Sequence, residues 1–162
     1  MAQAYDFTTY DNAGIEGGIR RHQDQGKTDS DLYRALVEEL ARRNSKTLNV
    51  EKSIEYLRHT AKTPRTFVSY KDVALANGVD FSKVRYQMGK HLDVILQICH
   101  ARRWPLLTSL CVKQSEVETG KLSGDSLKGF VEGARRLGIV VTDPEAFLNE
   151  CQTACWKWAE SN

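Results

Sequence analysis

The chain has 162 residues, 41% of them hydrophobic and 27% charged, with a net charge of +2. That is the ordinary make-up of a soluble globular protein, long enough for one domain with its own core. No apolar run approaches the roughly 18 to 20 residues of a membrane span. Met1-Ala2-Gln3-Ala4-Tyr5-Asp6-Phe7 has neither the basic start nor the apolar stretch of a signal peptide, so the cytoplasm is the expected address and the four cysteines are expected as reduced thiols.

Residues 1–26 read as a flexible N-terminal arm. Asp11-Asn12-Ala13-Gly14 and Gly17-Gly18 are turn and linker chemistry, and Tyr5, Phe7 and Tyr10 are free to dock on a neighbour. Residues 27–162 read as a single mostly helical domain. Thr28, Asp29 and Ser30 offer caps for a helix over about 31–43, with Leu32, Leu36, Val37 and Leu40 on one face and Asn44-Ser45 at its end. Asn49 caps a second helix over about 50–61, in which Val50, Ile54 and Leu57 fall at helical spacing. Thr63-Pro64 stops it, because proline has no N–H and restricts the residue before it.

Thr66-Phe67-Val68 is strand-like, and Ser69 followed by Asp72 three residues on is a capping-box variant. The pattern predicts a short helix over about 70–76 that exits at Asn77-Gly78, then a longer helix capped by Ser82 and reaching Ala101. Leu106 to Val112, after Pro105, is expected as a strand, and Lys113 to Leu122, with Thr119-Gly120 at the turn, as a hairpin. A helix over about 126–137 closes at Gly138, and Thr142-Asp143-Pro144 opens a last one. The fold class expected is mainly α with a small β element: a winged-helix-like core over 58–125 with additional N- and C-terminal helices.

The longer helix has two distinct faces. With Val84 as reference and 100° per residue, Val84, Met88, Leu92, Ile95 and Cys99 span about 0° to 80°. Tyr86, Lys90 and Lys83 fall at about 200°, 240° and 260°, opposite that stripe and in the first half of the helix. In helix-turn-helix proteins this is where the second helix meets base edges. Arg85 and Gln87 flank the face. Ser69, Tyr70 and Lys71, opening the preceding helix, are candidates for a phosphate contact through free backbone N–H groups. Arg102, Arg103 and Trp104 combine charge with a ring able to stack on a base.

Charge distribution agrees. Residues 1–57 hold 8 Lys/Arg against 10 Asp/Glu, 58–113 hold 10 against 3, and 114–162 hold 5 against 8. The middle block therefore carries +7 between ends of −2 and −3, the footprint of a phosphate-binding surface.

Thr66-Phe67-Val68-Ser69-Tyr70-Lys71-Asp72-Val73-Ala74 resembles the "(T/S)YGxLA" segment that opens the DNA-binding domain of O6-alkylguanine-DNA alkyltransferases and alkyltransferase-like proteins. Arg85-Tyr86-Gln87-Met88-Gly89-Lys90-His91-Leu92 is similar to their "ARxVGxAL" recognition helix, with Tyr86 where that family has its arginine. Trp104-Pro105-Leu106-Leu107-Thr108-Ser109-Leu110-Cys111-Val112-Lys113 and the Thr119-Gly120 turn resemble bacterial and phage proteins found with HNH nuclease domains. The likeness covers about residues 66–140. It implies duplex DNA as partner, a winged-helix core, and a bacterial, phage or defence/restriction setting. It does not imply alkyl transfer, because the family's Pro-Cys-His-Arg nucleophile motif is replaced by Pro105-Leu106-Leu107-Thr108.

No cofactor is expected. Cys151 and Cys155 share a helix face with Phe147 and Trp158 and read as core, since zinc sites favour paired C-x2-C loops. Three functions follow: a non-enzymatic DNA-binding protein; a protein-interaction module using Trp156, Trp158 or the N-terminal arm, such as an anti-defence inhibitor or regulatory subunit; and an enzyme acting on modified DNA, with Cys111 as its only nucleophile candidate.

Overall fold

Side-chain caps start six of the seven α-helices in the computed structural model, which describes residues 4–44 and 47–162. Residues 1–3 of the expected arm, and Ser45 at the end of the first expected helix, lie outside the described residues. The helices are α1 Asn12–Asp24, α2 Asp31–Arg43, α3 Val50–Ala61, α4 Tyr70–Ala76, α5 Phe81–Ala101, α6 Gly124–Arg136 and α7 Pro144–Ala159. The caps are Asp11, Ser30, Asn49, Ser69, Asp80 and Asp143, each accepting a backbone N–H two or three residues on. The protein is thus mainly α with a small β element.

The flexible arm is the largest correction. Asp11 to Asp24 form a capped helix whose Ile15 and Ile19 join the same hydrophobic core as the rest of the chain, so residue 26 is no domain boundary. Of the glycines that suggested a linker, Gly18 permits close packing instead. A Cβ at Gly18 would stand 3.1 Å from Leu36 Cδ1 of α2. Each helical glycine costs about 0.5–1 kcal/mol relative to alanine, and burial of two isoleucines offsets that, at roughly 1.5–3 kcal/mol each. Arg43 at the end of α2 ties down the segment before α1, donating to the carbonyls of Tyr10 and Phe7.

The second correction concerns residues 106–122. Leu106 to Val112 are buried without a break, so an alternating half-buried strand is not what they form. A 3-10 helix over Leu107–Leu110 sets Leu107 and Leu110 on one side, and only Cys111–Val112 is extended (β2). It pairs in parallel with Val68–Ser69 (β1), in register Val68 to Cys111 and Ser69 to Val112. Parallel partners need a crossover, here α4 and α5. Residues 113–122 hold a second 3-10 helix, Gln114–Glu116, and turns rather than a hairpin, so no hairpin wing forms among the described residues.

α5 runs through the middle, about 31 Å long at 1.5 Å per residue, with α1, α2, α3, α4 and α6 around it. α7 closes the other side: Gln152, buried, donates to the carbonyls of Ser109 and Gly120 at 2.9 and 2.8 Å. Gly120 has φ +71°, and a Cβ there would fall 2.1 Å from Phe67 Cζ, so that turn admits only glycine. None of the described helices is long and apolar enough to cross a membrane.

Candidate nucleic-acid interface

α4 and α5 are joined by the four residues 77–80, the length of a helix-turn-helix connection. The turn is locked chemically. Gly78 takes φ +74°, and the N–H groups of Gly78 and Val79 return to the carbonyls of Leu75 and Ala74, a Schellman closure. Asn77 accepts from the Asn49 N–H at 2.7 Å and donates to Ser53 Oγ and the Val73 carbonyl, both at 2.9 Å. Ser53 Oγ lies 2.7 Å from His91 Nε2. One amide therefore couples the turn to α3 and, through Ser53, to the middle of α5. Burial drives the His91 pKa down to about 4, so the ring is neutral at pH 7.

α5 begins two residues earlier than expected and is capped by Asp80, not Ser82. The Asp80 carboxylate accepts from the Ser82 N–H at 3.0 Å. That bond, the Ser82 hydroxyl and the nearby Lys83 and Lys71 ammonium groups hold its pKa below the ordinary value. Lys71, from the first turn of α4, and Lys83, from the first turn of α5, thus both act on one carboxylate without pairing with it.

Beyond the cap, α5 presents Lys83, Arg85, Tyr86, Gln87 and Lys90 to solvent while Val84 and Met88 face the core. Tyr86 is 93% exposed, and the Arg85 guanidinium carbon stands 5.6 Å from the centre of its ring. Lys90 at the far edge of the face reaches Glu16 of α1, Nζ to Oε1 3.0 Å. Half of the expected site residues, Lys71, Lys83, Arg85, Tyr86 and Gln87, therefore share one open surface, with Lys90 beside it.

The others do not join them. Ser69 is 1% exposed; its hydroxyl caps Asp72 N–H and its own N–H donates to Asp72 Oδ2, so no phosphate reaches it. Tyr70 is half-buried and packs against the hydrophobic core. Arg102 lies about 18 Å from Lys90 along the helix axis and is a structural clamp: its guanidinium grips Glu38 through two bonds of 3.0 and 3.1 Å, reaches Glu51, and covers the Trp104 ring at 5.0 Å. These carboxylates raise its pKa further. Arg103 is exposed at the same distant end and closes α5 with φ +60°. Sequence position on one helix implied proximity; helix length denies it.

Other candidates resolve similarly. Trp158 packs on Trp104 at 5.3 Å with Arg58 over both rings, and Trp156 sits edge-on to Phe67 at 5.7 Å, so both tryptophans are engaged within the fold. All four cysteines are buried. Burial raises the Cys111 thiol pKa and pushes those of Cys99, Cys151 and Cys155 up to about 12, leaving no thiolate at neutral pH. The role of Asn77 as a lock was missed; an amide beside a glycine signals a helix exit, but its bonds to Asn49 and Ser53, 28 and 24 residues away, leave no trace in sequence.

Compared with protein-family models, curated proteins and solved structures, the chain matches none.

Proposed function

We propose that this protein binds duplex DNA, without catalysis of its own, by presenting the first three turns of α5 to the major groove. The observation that carries the reading is Tyr86, an almost fully exposed ring on the open half of α5, flanked by Lys83, Arg85 and Gln87. Nothing in packing explains a ring in that position. Lys71 from α4 extends the basic surface to where the backbone of the duplex would pass, and phosphate neutralisation dominates such affinity. The +7 middle block and the likeness of 66–140 to the alkyltransferase DNA-binding domain support it. The winged-helix relationship, the cytoplasmic setting and a phage or defence role belong to the same reading and rest on that likeness.

Fluorescence anisotropy with a labelled random-sequence duplex tests it. Four phosphate contacts would lower affinity by about 100-fold between 50 and 200 mM salt. Lys83→Glu with Arg85→Glu is expected to weaken binding at least tenfold and flatten the salt slope by about 2. Binding that is absent at 50 mM salt, or indifferent to that double variant, defeats the proposal.

A further inference from the structure

α5 and α6 touch at one end and part at the other. A Cβ at Gly133 of α6 would lie 2.6 Å from Leu96 Cδ2, so the helices are in close contact there. One turn earlier, Gly129 has nothing within 4 Å of an added Cβ, and neither does Gly89 on α5. The space between holds a cavity of about 530 Å³, the size of small-molecule sites, about 300–1,000 Å³. Phe81, Met88, Leu92 and Leu96 form its wall from α5, one helical stripe, and Leu122 and Phe130 face them.

Two polar features give this apolar space a direction. Thr108, in its wall from the first 3-10 helix, is 6% exposed and its hydroxyl has no hydrogen-bond partner. Buried hydroxyls are nearly always paired, so an orphan in a cavity wall calls for a partner from outside the chain. At the rim, Asp125 and Glu132 fall four residues before and three after Gly129, on one face of α6, and neither has an ion pair among the described residues. The rim arginines do not neutralise them. Arg136 is bound to Asp93 at 2.9 Å, and Arg85 leans over Tyr86.

We propose that this cavity binds a small cationic amphiphile. Its apolar body lies against Phe81, Met88 and Leu92, a hydrogen-bonding group at the inner end meets Thr108, and an ammonium at the outer end meets Asp125 and Glu132. Of the proposed DNA face the cavity shares Arg85 alone, and its occupancy is read without DNA.

Isothermal titration calorimetry without DNA tests it, using three molecules with one ring system. 5-Hydroxytryptamine carries both polar ends, tryptamine lacks the inner hydroxyl, and 5-hydroxyindole-3-acetate replaces the ammonium with a carboxylate. 5-Hydroxytryptamine is expected to bind at least tenfold more tightly than the carboxylate and about threefold more tightly than tryptamine. Thr108→Val should erase the second difference, and Asp125→Asn with Glu132→Gln the first. Gly129→Leu should abolish binding of all three while leaving the circular dichroism spectrum unchanged, because leucine is the better helix former and nothing blocks it. The proposal is overturned by absence of binding at millimolar ligand, by equal binding of amine and carboxylate, or by indifference to Gly129→Leu. Sedimentation showing a dimer that Gly129→Leu dissolves would also overturn it, by assigning the groove to a second copy.

Discussion

The two halves of α5 follow opposite rules. From Phe81 to Lys90 only Val84 and Met88 are buried, and the helix shows solvent a ring and a set of cations. From His91 to Cys99 all but Leu92 and Asp93 are buried, with His91 and Gln97 among them. A helix enclosed on every side is set by packing, and its residues answer to stability. A helix held by one stripe leaves its other positions free for recognition. The difference locates where this protein has room for function: the end of α5 that the rest of the fold positions but does not cover.

The sharpest way to break this comparison is in the enclosed half. Ile98→Ala removes a fully buried side chain and is expected to cost about 2–5 kcal/mol in urea unfolding. A loss under 1 kcal/mol would show that the second half is not the rigid anchor. Next comes pH. The His91 pKa falls from 6.5 to about 4 on folding, so between those values the unfolded chain takes up a proton that the folded chain refuses. Stability should therefore fall as pH drops from about 6.5 to 4 and level off below, by about 3 kcal/mol in full. The variant His91→Gln should lack this component of the slope when urea midpoints are compared at pH 7 and pH 4.5.

Asn77→Ala, at the joint leading into the open half, strands the Asn49 N–H and removes a bond to Ser53. It is expected to cost about 1–3 kcal/mol and to raise hydrogen exchange in residues 77–83. On the open half, Tyr86→Ala should change stability by less than about 0.5 kcal/mol, checked by thermal unfolding. A larger loss would assign the ring a packing role and remove the main support for the interface. Smallest is Glu16→Gln. An exposed ion pair contributes roughly 0–1 kcal/mol, so stability should barely move, while Lys90 is released and duplex affinity rises by about twofold in the anisotropy assay.

What was legible in the sequence divides along physical lines. α2, α3 and α4 were readable to the residue because caps, apolar spacing and stop signals all lie within a few positions of one another. α1 was hidden because Gly14, Gly17 and Gly18 mean a linker locally, and the close approach of Leu36 to Gly18 exists only in the fold. Residues 106–112 were misread because a segment buried at every position, Thr108 and Ser109 included, does not reveal its period. The open face of α5 was readable, since angular position along one helix needs no tertiary information. Ser69 and Arg102 were assigned to it wrongly because their partners, Asp72, Glu38 and Glu51, decide whether they are free, and Tyr70 because it packs against the core.

By itself, then, the sequence determined the helices from α2 onward and the side of α5 that carries Lys83, Tyr86 and Lys90, because local caps and a 100° repeat suffice for both. Only the tertiary structure decided which charges remain available and where a cavity lies. Ion pairing such as Arg102 with Glu38, and the parting of α5 from α6 at Gly129, depend on residues far apart in the chain that meet only in the folded protein.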